Sequence, residues 1–123
     1  MTVSGYLKDL QRCLSGIFKY HNKNDIQVIV VDNGSDKKIK DWLAENYNSY
    51  GVTLQTTAYQ IGDAAAKNIG LRTALGEIVI LIDTSVELKK DVYDYVQLLL
   101  EQPTIGLLGP WGLLTEDMNH FHK

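Results

Sequence analysis

The segment IQVIVVDNGSD, residues 26–36, places a nearly continuous apolar run directly before a cluster of turn-forming residues. The run IQVIVV is rich in β-branched residues, which predicts a strand buried on both faces, as in a parallel sheet. The residues from Asp32 to Asp36 end this strand, because Asp, Asn, Gly and Ser are the residues that turns use most. Residues 26–31 are therefore the first predicted core strand.

Helical patterns alternate with strand patterns on both sides of this segment. The helices are predicted by apolar residues three and four positions apart, and by an alanine-rich run that Gly76 ends as a C-terminal cap. Ser4 is the predicted N-cap of the first helix. The predicted helices lie around residues 6–18, 39–44, 63–75 and 92–100, and the further predicted strands cover residues 52–56, 78–82 and 105–110. The inward positions of the second helix are predicted to be Ile39, Trp42, Leu43 and Ala44.

The order of these elements, α-β-α-β-α-β-α-β, predicts an α/β fold with a parallel sheet and right-handed crossovers. In such sheets ligands bind beyond the carboxyl ends of the strands. Two polar clusters stand at those ends, residues 32–36 and residues 83–85. These two clusters are the candidate functional sites.

Composition excludes several classes of protein. With 123 residues, 45% of them hydrophobic, and a net charge of −3, the chain is neither disordered nor a strongly basic nucleic-acid binder. Its longest apolar stretch, residues 78–82, is too short to span a bilayer. The single cysteine, Cys13, cannot form an internal disulfide, which favours a reducing, cytoplasmic compartment.

One domain over residues 5–114 is predicted, followed by a C-terminal tail at 115–123.

Three segments, in this order and spacing, resemble the nucleotide-sugar-binding half of family 2 glycosyltransferases, which have the GT-A fold. QVIVVDNGSD (27–36) is similar to that family's strand ending in Val-Asp-Asp/Asn-Gly-Ser. GDAAAKNIGLRTALGEIVILID (62–83) is similar to its Gly-x-x-x-Ala-Arg-Asn-x-Gly-Leu helix, which runs into the strand carrying Asp-x-Asp. IGLLGPWGLL (105–114) is similar to its Val-Gly-x-Val-Gly-Pro strand. The resemblance implies a three-layer α/β/α, Rossmann-like fold with a mainly parallel sheet.

The resemblance also implies an activity, the transfer of a sugar from a nucleotide-sugar donor to an acceptor, and donor contacts for particular residues. Asp32 and Asn33 would reach the nucleotide base, and Lys67 would lie near the diphosphate. Asp83, at the first position of Asp-x-Asp, would face the ribose or a Mn²⁺ or Mg²⁺ ion. Ser85 stands at the second acidic position, and a neutral serine counts against metal-dependent catalysis. Glu87, two residues further on, is the nearest carboxylate that would compensate.

Two parts of the family pattern are not found in these residues. Family members begin with a strand of the type Val-Ser-Val-Ile-Ile-Pro-Thr-Tyr-Asn, which would lie between the strands at 26–31 and 78–82. Without this first strand both neighbours would have an open edge. The sheet could then reorder, a second copy of the chain could pair there, or a preceding segment could supply the strand. The acceptor-binding half, with its acidic catalytic base, follows the Gly-Pro strand in the family. No catalytic residue is therefore assigned.

Alternatives remain open at each of these positions. Residues 32–36 also suit a plain turn between a strand and a helix, Asp83 suits a vestigial strand end, and Lys67 suits a solvated helix position. The alternative function is a non-catalytic GT-A-like interaction or assembly module that has lost metal-dependent activity. Dinucleotide binding is disfavoured, because no Gly-x-Gly-x-x-G follows the first strand.

Overall fold

The computed structural model of the protein describes residues 1–3, 5–109, 114–115 and 121–122. Ser4, predicted to cap the first helix, lies outside these residues. The chain divides into two compact units, Met1–Asp91 and Val92–Lys123. Both candidate sites belong to the first unit. The single domain at residues 5–114 and the tail at 115–123 stay predictions.

The first unit alternates short strands with helices in the order β-α-β-α-β-α. Its strands are β1 (Thr2–Val3), β2 (Val28–Asn33) and β3 (Val52–Thr57), and its helices are α1 (Leu7–Tyr20), α2 (Lys37–Tyr50) and α3 (Asp63–Thr73). Helices and strands thus lie where the patterns predicted them over most of this unit. The alternation places the turn after β2 and the start of α3 at the same end of the sheet.

The sheet is parallel, with β2 in the centre and the order β1-β2-β3. The register of β2 against β3 runs from Val28 opposite Val52 to Asn33 opposite Thr57. The apolar run of β2 is therefore paired on both edges at its carboxyl end. This position explains why its sequence is nearly continuous in β-branched residues.

The expectation that the first strand is absent needs correction. Thr2 and Val3 pair in parallel with Val31 and Asp32, so a two-residue β1 occupies the predicted place beside β2. The backbone N–H of Val31 also donates to the carbonyl of Met1 at 2.9 Å. A strand this short escapes sequence analysis, because alternation needs four or more residues before it indicates a strand.

Helices cover both faces of the sheet, so the three-layer α/β/α architecture is confirmed. On one face, α1 and α2 pack on Val28 and Val30 of β2 in the main hydrophobic core. On the other face, α3 lies against β2, and a Cβ atom at Gly70 would stand 3.5 Å from Cγ2 of Val31. The buried members of the core are Val3, Leu10, Cys13, Leu14, Ile17, Val28, Val30, Ile39, Leu43 and Val52.

The ends of α2 and α3 follow different chemistry. Asp36 caps α2 by accepting a hydrogen bond from the N–H of Ile39 at 3.0 Å, and Gly51 ends this helix with φ 71°.

The prediction that Gly76 caps α3 was wrong. The helix already ends at Thr73, because the N–H of Ala74, in extended conformation, bonds to the carbonyls of the last turn. Ala44, predicted to face inward on α2, is exposed.

The prediction of a second core strand at residues 78–82 was wrong as well. This segment forms no strand, and Val79, Ile80 and Leu81 are 45%, 45% and 59% exposed. A strand needs a neighbour whose backbone groups it can bond, and β1 offers only two residues at its edge of the sheet. Residues 105–109, predicted to open a strand, form none either; Pro110 lies outside the described residues.

The second unit contains α4 (Tyr93–Glu101) and an antiparallel pair, β4 (Leu114–Thr115) and β5 (Phe121–His122). The predicted helix around residues 92–100 is thus present. Within the residues that the structure describes, no helix is both long and apolar enough to cross a bilayer.

Candidate functional site

The turn after β2 holds a buried carboxylate with one unused oxygen. Asp32 is 1% exposed, and its Oδ1 accepts a hydrogen bond from the N–H of Ser35 at 2.9 Å. Thr57 of β3 donates its hydroxyl to the backbone carbonyl of Asp32 at 3.2 Å. In the described part of the chain no donor reaches Oδ2 of Asp32, nor does the buried Oγ of Ser35 find a partner. A buried polar atom without a partner typically costs about 1–3 kcal/mol, so a ligand that donates here is favoured.

Asn33 joins this turn to the loop before α3. Its Oδ1 accepts a hydrogen bond from the N–H of Ile61 at 2.9 Å. Gly34 has φ 63°, and a Cβ atom there would lie 2.4 Å from the backbone N of Gln60. Only glycine therefore lets the turn and the loop approach this closely. The amide oxygen of Asn33 serves the fold, which leaves its NH₂ group as the part suited to a ligand.

An ion pair lies at the start of α3. Lys67 donates to Oδ2 of Asp63 at 2.5 Å, and the hydroxyl of Thr2 donates to Oδ1 of the same carboxylate at 3.0 Å. The hydrogen bond from Lys67, followed by that from Thr2, lowers the pKa of Asp63. Asp63 thus ties the first turn of α3 to β1. The next residue of β1, Val3, pairs with Asp32, so β1 contacts both this ion pair and the strand that carries the buried carboxylate.

Asp83 and Ser85 form a closed turn. Oδ1 of Asp83 accepts hydrogen bonds from both the N–H and the hydroxyl of Ser85, at 2.8 Å and 2.7 Å. These two bonds, the backbone one first, lower the pKa of Asp83. The charge of Asp63 raises the pKa of Asp83 and the charge of Lys67 lowers it, both less than the bonds from Ser85 act on it. We call Asp63, Lys67 and Asp83 the charged cluster. The thiol of the buried Cys13 lies 3.7 Å from the carbonyl of Asp83 and attaches this turn to α1.

The residues of this cluster do not fit a divalent metal ion. No group of three metal-binding His, Cys, Asp or Glu side chains occurs in the described part of the chain. Both oxygens of Asp63 are engaged, and Oδ1 of Asp83 already accepts two bonds. Glu87, the carboxylate that would compensate for Ser85, pairs with Lys89 at 2.9 Å and stands 4.0 Å from Nε of Arg12. A lysine in the cluster further disfavours a dication.

The structure thus places Asp32 and Asn33 in the turn after β2, Lys67 on α3 in an ion pair with Asp63, and Asp83 in a turn closed by Ser85. Sequence analysis missed the part played by Asp63, which binds Lys67 and Thr2. Its spacing of four residues from Lys67 was a usable signal for an ion pair on a helix. The bond to Thr2, 61 positions away, had no signal in the sequence.

Comparison with known proteins identifies the chain. The family described as glycosyl transferase family 2 matches residues 2–120. The chain belongs to this family. The match includes all four predicted donor-binding residues, Asp32, Asn33, Lys67 and Asp83.

A solved structure supports the fold of this family 2 domain. The crystal structure of S. aureus TarS superposes with a TM-score of 0.69 at 20% sequence identity. The similarity covers 81% of this chain and 18% of the TarS chain, so the family 2 domain spans a small part of that protein's length. The GT-A-like fold expected from the sequence is therefore shown. A comparison with curated proteins gave no match.

Proposed function

We propose that this family 2 domain binds a nucleotide-sugar donor at the carboxyl end of its sheet and transfers the sugar to an acceptor. The observation that carries the proposal is the buried carboxylate of Asp32, whose Oδ2 lacks a donor within the described residues. An ionised carboxylate only accepts hydrogen bonds. Its natural partner is a base with a ring N–H, such as uracil, thymine or guanine.

The neighbouring groups suit the rest of a donor. The NH₂ group of Asn33 would donate to a carbonyl of the base, since its oxygen is held by Ile61. Lys67 would bind the diphosphate as a point charge. The unused Oδ2 of Asp83 would accept a hydrogen bond from a ribose hydroxyl.

Transfer would form a bond between the acceptor oxygen and the anomeric carbon of the sugar. The bond between that carbon and the diphosphate oxygen breaks, and the acceptor hydroxyl passes its proton to the acidic catalytic base that the family resemblance implies. Negative charge then builds up on the leaving nucleoside diphosphate. A cation held beside it lowers the barrier, because it acts where the charge develops. The Mn²⁺ or Mg²⁺ ion that the family resemblance implies would supply such a charge, whereas the residues around Asp83 favour Lys67 for it.

Calorimetric titration with UDP-, GDP- and TDP-sugars tests the proposal, with the variant Asp32→Asn as the probe of the base contact. Loss of a hydrogen bond to a charged group costs about 1.5–3 kcal/mol, so the variant is expected to bind at least 10-fold more weakly. Asp41→Asn is the matched control, because Asp41 lies on α2, is 55% exposed, and should leave affinity unchanged. Equal affinity of Asp32→Asn and the wild type, or no binding of any nucleotide, would refute the proposal.

Three further expectations from the sequence stay predictions. Pairing of two copies through the open sheet edge is tested by light scattering of the purified chain. A cytoplasmic location is tested by cell fractionation. The domain limits at residues 5–114 are tested by limited proteolysis.

A further inference from the structure

We infer that Lys67, and not a divalent cation, neutralises the donor diphosphate in this domain, and that Asp63 holds Lys67 in place until the donor binds. The inference rests on the function proposed above. It assigns to Asp63 a positioning role, and it makes donor binding independent of metal.

The first step concerns the acidic oxygens available to a cation. A divalent ion in a nucleotide site is usually held by one or two carboxylates together with phosphate oxygens. Ser85 replaces one of these carboxylates, and its N–H and hydroxyl both bind Oδ1 of Asp83. Asp63 uses one oxygen for Lys67 and the other for Thr2. Within the residues that the structure describes, one carboxylate oxygen of this cluster, Oδ2 of Asp83, is left for a cation.

The second step concerns the positive charge. Lys67 lies on α3, where its ammonium group pairs with Asp63, so the start of this helix already holds a cation that belongs to the chain. A dication bound beside Asp63 would be repelled by this ammonium. Lysine binds phosphate groups well as a point charge. The cluster is therefore built around a cation that belongs to the chain.

The third step concerns the exchange of partners. The side chains of Lys67 and Asp63 are 44% and 64% exposed, and an ion pair in that position is weak. A diphosphate carries more charge than one carboxylate, so it can take Lys67 from Asp63. The hydroxyl of Thr2 stays bound to Asp63 during this exchange and keeps the carboxylate in position to receive Lys67 again. Asp63 thus competes with the ligand and sets the affinity.

Titration of the full chain with UDP, with either EDTA or Mn²⁺ present, tests the metal independence. Uridine serves as the probe without phosphate. We expect dissociation constants for UDP within about 3-fold of each other under the two conditions. A gain of more than 10-fold with Mn²⁺ would overturn the inference and leave the proposed function standing. If neither UDP nor uridine binds, the proposed function fails, and the inference fails with it.

Variants test the roles of the two side chains. Lys67→Gln is expected to weaken UDP binding at least 10-fold while uridine binding stays unchanged, since uridine has no phosphate. Asp63→Asn is expected to strengthen UDP binding several-fold, because the competitor is removed. A purely structural role for Asp63 would instead weaken UDP and uridine alike. Either that result or unchanged UDP affinity in Lys67→Gln would refute the inference.

The chain provides a matched control for these variants. Lys37 and Asp41 form an ion pair of the same spacing and the same 2.5 Å length on α2. Lys37→Gln and Asp41→Asn should leave UDP binding unchanged. Circular dichroism of each variant verifies that the fold is retained. In the variant Ser85→Asp, the affinity for UDP should rise when Mn²⁺ is added, whereas the affinity of the wild type should not change. An affinity of Ser85→Asp that does not change with Mn²⁺ would contradict the argument from the missing carboxylate.

Discussion

Replacement of Gly34 by alanine is expected to disrupt the contact between the β2 turn and the loop before α3. Gly34 has φ 63°, a conformation that costs a residue with a Cβ atom about 1–2 kcal/mol. The added Cβ would lie 2.4 Å from both the N of Gln60 and the carbonyl carbon of Tyr59. These are backbone atoms, so the loop itself must move.

The size of the effect follows from these two contributions. Movement of the loop breaks the hydrogen bond between Asn33 and the N–H of Ile61, which is worth about 1 kcal/mol. With the conformational cost included, Gly34→Ala should destabilise the fold by about 2–3 kcal/mol. This is a large fraction of the about 5–15 kcal/mol that stabilises a typical domain.

Gly51→Ala is the control that isolates the close contact. Gly51 has φ 71°, but the nearest atom to an added Cβ is Cδ of Lys23 at 3.8 Å. Its expected cost is the conformational one alone, about 1–2 kcal/mol. Urea denaturation followed by circular dichroism measures both variants, and the extra cost of about 1 kcal/mol in Gly34→Ala corresponds to a midpoint lower by about 0.5 M. Equal midpoints for the two variants would refute the reasoning.

Two further predictions concern the core and the pH dependence of stability. Leu14→Ala should cost about 2–5 kcal/mol, because Leu14 is 1% exposed in the core, whereas Leu75→Ala, at a residue 89% exposed, should cost little; equal urea midpoints for the two would contradict this. Asp63 has a lowered pKa, so its contribution to stability is present above the ordinary carboxyl pKa and is lost as the pH falls through the lowered value. The difference in unfolding free energy between the wild type and Asp63→Asn should therefore be present at neutral pH and decline as the pH falls through the lowered pKa of Asp63, and a difference that does not decline in acid would contradict the assignment.

The elements with the longest and most regular patterns could be predicted from the sequence. The apolar stripe of α1 and the β-branched run of β2 each extend over enough residues for their period to be read. Their bounds in the structure, Leu7–Tyr20 and Val28–Asn33, lie within a few residues of the predicted ones. The local pattern predicts these elements correctly because the apolar faces that it indicates are the faces that α1 and β2 bury in the structure.

Elements that depend on a distant partner could not be predicted in this way. Residues 78–82 have a strand-like composition, yet they form no strand. The strand at that edge of the sheet, β1, has only two residues and offers them too few backbone groups for pairing. Composition indicates what a segment can become, whereas its neighbours in the sheet decide what it forms. For the same reason the short β1 was overlooked, since it exists only through its bonds to β2.

The candidate site shows the same division. The polar clusters after two predicted strands indicated where to look, because strand ends in an α/β sheet meet at one edge. The unsatisfied Oδ2 of Asp32 and the bond from Thr2 to Asp63 required the three-dimensional structure. Both arise between residues from separate elements, and neither residue type is unusual at its position.

The contact between Cys13 and the carbonyl of Asp83 gives the domain an internal reporter of local opening. Cys13 is the chain's single cysteine and is fully buried, and burial raises the pKa of its thiol. A thiol reagent can therefore modify it only when the fold around it opens transiently. The labelling rate of one sulfur atom would then measure how often the fold opens around Cys13, including where the Asp83 turn rests on α1. Slower labelling in the presence of a nucleotide would show that the ligand holds this part of the domain closed.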